Sequence, residues 1–321
     1  MQVYMWGTRG SLPASITAER VRTRIETAIA VVRRRPPAEE DSIAGYLEQT
    51  LPFAVRGTYG GNTSCMELRG GTDFVVCDAG SGLRDFGAYV VGLLRAGQAK
   101  APLTFHLFVS HLHWDHIHGF PFFVPAYIPG TRLHIYGCHP GIEAAFTRQQ
   151  EPPFFPVPLG AMQASIDFRS LEVGREYDLA GFTVQAIKQH HPGDSYGYAF
   201  AAGGRKVVYS TDSEHKEGAD QPDSPFVAFI RHADLLVFDA QYSLLDAIGA
   251  KENWGHSSNL VAVELAVRAG VRRLCLFHSE HTCDDDSLDR FLDDTRRYQR
   301  LHAPDCPLTI DLAYDGLTID V

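Results

Sequence analysis

What the chain lacks narrows it first. None of its six cysteines, Cys65, Cys77, Cys138, Cys275, Cys283 and Cys306, forms a CxxC pair, so a thiolate zinc site has no support. No GxSxG turn is present to carry a serine nucleophile, and no Walker A sequence to cradle nucleotide phosphates. AGSGLRDFG puts Asp85 where a dinucleotide-binding loop needs its third glycine. The N-terminal segment MQVYMWGTRGS lacks the basic stretch and apolar run of a signal peptide, and no apolar run approaches bilayer length. These absences predict a cytoplasmic protein with no membrane partner. Basic side chains are also short: 29 Lys and Arg face 39 Asp and Glu, for a net charge of −10. That balance argues against long nucleic acid as a partner. There is no repeat of fixed period and no low-complexity tract.

What is present is apolar residue and histidine. With 45% hydrophobic residues over 321 positions, a sizeable core is available. Strand-like runs are expected at Val3–Trp6, Cys65–Arg69, Asp73–Cys77, Leu103–Val109, Leu133–Tyr136, Phe182–Ile187, Gly197–Ala201 and Lys206–Tyr209. Leu235–Phe238 and Leu274–Phe277 are continuous apolar runs of the buried-strand type. Helices are expected over Phe86–Ala96 and Asn259–Ala269. Antiparallel strands come first and βαβ-like units later, which predicts an α/β chain with mixed sheets and outer helices.

One segment differs in character. From about Ile16 to Leu51 the chain carries Arg20, Arg22, Arg24, Arg33, Arg34 and Arg35, with Val21, Ile25, Ala28, Ile29 and Val32 near helical spacing. Pro36 and Pro37 end that helix, and a second is expected over Asp41–Gln49. Residues 1–57 hold eight Arg against six acids, a net of +2, which leaves −12 to the remainder. We expect a single domain over 1–321 with a helical insertion at 14–56. The insertion reads as a solvated hairpin or a homodimer contact, with a basic arm that steers anionic substrate as the alternative.

The densest chemistry is SHLHWDHIHG, residues 110–119. The run TFHLFVS delivers the chain to its own end and then presents His111, His113, Asp115 and His116. The i, i+2 spacing of His111 and His113 lets an extended backbone aim both imidazoles at one point. Imidazole nitrogen with carboxylate oxygen suits zinc first, with manganese and iron(II) as alternatives.

The motif HxHxDH resembles the hallmark of the metallo-β-lactamase superfamily of binuclear metallohydrolases. Further stretches resemble that family in order: FVVCDAGSGLR with Asp78, HHPGDSYGY with His191, VVYSTDSEH with Asp212, and CLFHSEH with His278. The resemblance covers roughly residues 1–12 and 57–320, and it implies an αββα sandwich of two mixed sheets flanked by helices. It also implies two divalent metal ions, one held by His111, His113 and His191 and the other by Asp115, His116 and His278. Asp212 would bridge them, with Asp115 and Asp212 counted among the catalytic residues. A metal-bound hydroxide would attack the substrate, and Asp78 would orient the ligands by hydrogen bonds. His190 is the neighbour of the favoured ligand and a candidate for lining the pocket. His281 stands where close relatives read differently and has no assigned role.

WGHSS, residues 254–258, resembles the GHST signature of the tRNase Z-like phosphodiesterase branch, which implies that His256 assists the leaving group. An alkoxide leaves poorly unless protonated, and a histidine near neutrality does this well. In the bland alternative Ser257 or Ser258 caps the next helix and His256 is merely exposed. GTRGSLP and GGNTSC also resemble phosphonate-pathway cyclic phosphodiesterases, which places Asn62 as a candidate phosphate contact. PFFVPAYIPG and PPFFPVP set aromatics after the metal loop, either as a wall that stacks a base or as ordinary packing. The expected activity is phosphodiester hydrolysis on a cyclic or small nucleotide, a small anionic partner. A thioester or lactone hydrolase on the same metals is the first rival, and a non-catalytic metal-dependent sensor the second.

Overall fold

The computed structural model describes residues 1–38, 42–216, 221, 224–243 and 251–321. Two seven-stranded sheets organise them. The first runs in the order β16 (Thr318–Asp320), β1 (Gln2–Gly7), β3 (Cys65–Arg69), β4 (Phe74–Cys77), β5 (Thr104–Phe108), β6 (Arg132–Gly137) and β7 (Ser165–Ser170). The second runs β15 (Thr309–Leu312), β13 (Arg273–Phe277), β12 (Leu235–Asp239), β11 (Arg205–Ser210), β10 (Ser195–Ala202), β9 (Phe182–Gln189) and β8 (Glu176–Leu179). Both are mixed: β4 to β7 are parallel, as are β11, β12, β13 and β15, while β1, β3 and β8 to β10 pair antiparallel. A short parallel pair joins β2 (Arg9–Gly10) to β14 (Ser279–Glu280).

Three apolar layers follow from strand alternation, which sends successive side chains to opposite faces. Val3, Met66, Val75 and Phe108 of the first sheet meet Val184, Phe200, Val207 and Phe277 of the second in the central layer. The outer face of the first sheet is covered by α4 (Gly82–Arg95) through Leu83, Phe86 and Val90. The outer face of the second is covered by α7 (Pro225–Ile230), α8 (Asn259–Ala269) and α9 (Asp285–His302). The arrangement is the expected αββα sandwich. Cys77 and Cys275 lie in its central layer, each buried within an apolar strand.

The strands fall within one or two residues of their expected ends, and α8 matches over Asn259–Ala269. Ser258 caps α8 by accepting from the Val261 N–H, and Gly270 closes it in a left-handed conformation. Helix α4 begins at Gly82, not Phe86, because Leu83 and Phe86 together cover the sheet.

The basic segment forms α1 (Ala18–Arg34) and α2 (Ile43–Thr50), followed by the short α3 (Phe53–Arg56). Asp41, the expected start of the second helix, lies outside the described residues. Helix α1 buries no residue, yet Arg24 ties it down by pairing with Asp285 and donating to the Gly57 carbonyl. Among the described residues no helix is long and apolar enough to cross a membrane.

Candidate metal centre

Parallel strands end together, and their carboxyl ends are where an α/β sheet presents side chains to a ligand. The site is assembled on such ends. Asp78 follows β4, the His111 loop follows β5, Asp212 follows β11, Asp239 closes β12 and His278 follows β13. Asp78, Asp212 and His278 turn off their strands with φ of 63°, 47° and 64°, and Ser11 after β2 does so at 65°. Each such conformation costs a non-glycine residue roughly 1 kcal/mol or more. Surrounding hydrogen bonds hold them: Ser11 donates its N–H to Asp115 Oδ2 at 2.7 Å, and Asp78 accepts from the Ser110 N–H at 2.7 Å.

Six imidazole and carboxylate side chains then converge around Asp212. His111, His113 and His191 form one group with it, and Asp115, His116 and His278 form the other, with all ligand atoms of a group within 4.8 Å of one another. The two oxygens of Asp212 divide between the groups. Oδ2 lies 3.5 Å from His111 Nε2 and 3.7 Å from His191 Nε2, while Oδ1 lies 3.2 Å from His116 Nε2 and 3.3 Å from His278 Nε2. This is the arrangement in which one carboxylate can serve two cations.

Hydrogen bonds fix which nitrogen of each ring is free. His191 donates Nδ1–H to the Gly255 carbonyl at 2.8 Å, which leaves Nε2 toward the centre. His116 Nδ1 lies 2.7 Å from Asp78 Oδ2, and His111 Nδ1 lies 3.0 Å from Ser110 Oγ. His113 uses the other atom, its Nδ1 standing 3.1 Å from His191 Nε2. His111 Nε2 is buried with no hydrogen-bond partner, an unstable condition for a polar atom unless something occupies the space it faces. Gly255 is required here. Its φ is +85°, and a Cβ would meet His191 Nδ1 at 2.3 Å.

Charge points the same way. Asp78, Asp115 and Asp212 are all buried, and buried carboxylates without a counter-cation are costly. Burial pushes the Asp115 carboxyl up, but His116 and His278 outweigh it and hold it well below its ordinary value. Burial lowers His116, and Asp212, Asp115 and Asp78 overcome that and drive it well above the usual imidazole range. His111 is pushed far down by burial and by His116, which Asp212 only partly offsets. The pocket is built for positive charge, and its donor set of nitrogen and carboxylate oxygen fits divalent transition-metal ions.

Asp78 sits where expected, accepting from Ser110 Oγ (2.8 Å) and Tyr209 Oη (2.7 Å) besides its bond to His116. His256 is nearly enclosed, its ring 5.2 Å from that of His278 and 5.0 Å from that of His191. Its Nδ1 stands 2.9 Å from Oδ2 of Asp239. Burial lowers its pKa, but Asp239 reverses this and lifts it to about 9. Asp239 escaped the sequence reading. The available signal was its place directly after the buried run LLVF, the position Asp78 and Asp212 hold on their own strands. His256 also groups with Asp212 and His278 as a third donor set.

Two expected positions lie elsewhere. Asn62 does not face the centre: its amide donates to Asp85 (2.7 Å) and Trp6 O (3.3 Å) and accepts from Ser81 Oγ (3.0 Å). Those bonds, with its carbonyl accepting from Thr8 and Arg9, fasten the two glycine-rich turns together. His190 is exposed and outside every donor group, because on an extended segment it faces away from His191. His281, which had no assigned role, also joins no donor group. Of the aromatic segments, Phe120 and Phe123 pack into the outer core, while Phe122 meets Phe155 at 5.4 Å.

The chain belongs to the metallo-β-lactamase superfamily: residues 43–279 match the model described as the beta-lactamase superfamily domain. Ribonuclease Z of Picrophilus torridus is 24% identical over 245 residues, 57% of this chain and 71% of its own. The crystal structure of human tRNase Z, short form, aligns with a TM-score of 0.59 at 20% identity, covering 100% of this chain and 99% of that one. Zn2+-bound PqqB from Methylobacterium extorquens aligns at 0.62 with 16% identity and full coverage of both chains. Family and donor set together mark the chain as a metal-dependent hydrolase, and its relatives include enzymes named ribonuclease Z. The expectation that long nucleic acid lies outside its partners is overturned by these relatives, which are named for RNA and tRNA. Net charge failed as a guide because binding depends on the local field at a site, which a chain-wide sum does not report.

Proposed function

We propose that the protein is a binuclear phosphodiesterase in which His256 is the general acid. His111, His113 and His191 would hold one metal and Asp115, His116 and His278 the other, with Asp212 bridging. Bound zinc, or manganese or iron in its place, would supply Lewis-acid charge against the phosphoryl oxygens and acidify a water. Asp78 keeps His116 oriented through Nδ1, and the Gly255 carbonyl does the same for His191.

The observation that carries the reading is the His256–Asp239 pair beside this donor set. Asp239 itself is fixed by the Ser213 and Gln241 N–H groups, at 3.0 and 3.1 Å. With Nδ1 engaged by a carboxylate, the imidazole keeps its charge and offers Nε2–H. A departing alkoxide needs that proton, whereas a thiolate does not, which favours phosphodiesters over thioesters.

Substrates in this reading are nucleotide phosphodiesters, the small cyclic and linear ones together with RNA. We further take residues 1–321 as one domain, with 14–56 as an insertion whose first helix buries nothing. The six unpaired cysteines suit a reducing, cytoplasmic compartment. The test is His256→Ala, assayed for metal content and for hydrolysis of diesters with alkoxide leaving groups. Retained metal with lost turnover supports the acid role. Lost metal instead assigns His256 to the ligands.

A further inference from the structure

We propose that Trp114 and Trp254 are base-stacking positions beside the metal centre, an inference that rests on the phosphodiesterase reading. The chain has three tryptophans, and they divide sharply. Trp6 is anchored in the fold, with ring contacts to Tyr4, Phe86 and Tyr89 and its Nε1–H donated to Glu67 at 3.0 Å. Trp114 is 80% exposed and Trp254 is 58% exposed. Among the described residues neither indole makes a ring contact or a side-chain hydrogen bond. An indole so placed contributes little to the core; exposure alone would be ordinary for a single apolar residue, and it is the place of these two in the chain that distinguishes them.

Their positions along the chain say what that is. Trp114 directly follows His113, and opens α5 (Trp114–Ile117), whose next two residues are Asp115 and His116. Trp254 directly precedes Gly255, whose carbonyl holds His191, and stands two residues before His256. His113 and His191 are themselves neighbours, with ring centroids 4.9 Å apart. Both indoles are therefore carried by the backbone that shapes the centre, and neither is needed to shape it. A flat exposed π-face beside a phosphate-binding centre suits a nucleobase, whose stacking on an aromatic side chain tolerates any base identity.

The experiment compares metal-loaded wild type with Trp114→Ala and Trp254→Ala on the dinucleotide ApA and on dimers in which one or both bases are replaced by an abasic sugar. Products of ApA identify the leaving nucleoside. Each variant is expected to keep its metal and its melting temperature and to raise KM for ApA by about 5- to 150-fold with little change in kcat. Each penalty disappears on the dimer lacking the base that the missing indole would stack, and on the dimer lacking both. Trp→Phe at either position restores most of the loss. Independently of turnover, an uncleavable phosphonate analogue of ApA quenches tryptophan emission in wild type and less in each variant. Unchanged KM for ApA, or penalties that persist on the dimer lacking both bases, overturns the inference while leaving the phosphodiesterase intact. No hydrolysis of any diester by wild type overturns both.

Discussion

His256 Nδ1 stands 2.9 Å from Oδ2 of Asp239, a carboxylate with no exposed surface. The second oxygen of Asp239 accepts from the Gln241 N–H, so the carboxylate cannot swing away from the ring. Asp239→Asn should therefore keep the shape of the pair and remove its charge. We expect it to lower turnover of alkyl diesters by about 10- to 1,000-fold, less than His256→Ala at about 100- to 10,000-fold. Bis(p-nitrophenyl) phosphate, whose phenolate leaves without a proton, should lose far less in both variants. Equal losses on the two substrate types would contradict the acid assignment.

Asp212 divides its oxygens between two histidine groups, so its removal should disturb both cations. Wild type should bind two divalent ions per chain by elemental analysis, and Asp212→Ala one or fewer. Asp78→Asn acts at a distance, through His116, and should weaken metal binding by about 10- to 100-fold without changing the number of sites. Two ions retained by Asp212→Ala would exclude the bridge.

Metal also bears on stability. With Asp78, Asp115 and Asp212 buried around six imidazoles, loss of the cations leaves carboxylates to be neutralised by protons. At a free metal concentration 100 times Kd, each site should stabilise the fold by about 2.7 kcal/mol. Chelation should therefore lower the melting temperature, and zinc or manganese should restore it. An unchanged melting curve on chelation would count against a resident metal.

Asp315 offers a pH test away from the centre. Its carboxylate is enclosed and accepts from the Gly61 and Asn62 N–H groups, both at 2.9 Å, and from Thr8 Oγ1. Burial still dominates and pushes its pKa up to about 6 from 3.8. The folded state then binds the proton more tightly than the unfolded chain, so this group destabilises by about 3 kcal/mol above pH 6. That cost fades as pH falls from 6 toward 4. Denaturant titrations at pH 7 and 5 should show Asp315→Asn lacking this component of the pH dependence. A slope identical to wild type would refute it.

How much of this the sequence disclosed depends on burial. The strands that carry the site are short apolar runs closed by a chemically distinct residue, as in FVVC before Asp78 and RLCLF before His278. Full burial on both faces writes such runs plainly. The edge strands β7 and β8 are half exposed, and their mixed composition does not stand out. Helix α9 buries only Asp285, Leu288, Thr295 and Gln299 among eighteen residues, which leaves a weak apolar stripe in a charged segment. The first part of the donor set, His111, His113, Asp115 and His116, was legible because HxHxDH is local. Asn62 misled because a glycine-rich turn looks alike whether its amide meets a ligand or, as here, Asp85. Asp239 was hidden because its partner, His256, lies 17 residues away across residues with no pattern of their own.

The most direct test of the central claim titrates metal-depleted protein with zinc or manganese and follows three reactions together. These are hydrolysis of a nucleotide phosphodiester panel running from cyclic dinucleotides to precursor tRNA, of an acyl thioester, and of a lactone. The account predicts that phosphodiester turnover rises with metal and levels off at two equivalents per chain, while the other two stay near background. Metal-dependent turnover confined to the thioester or the lactone would contradict it.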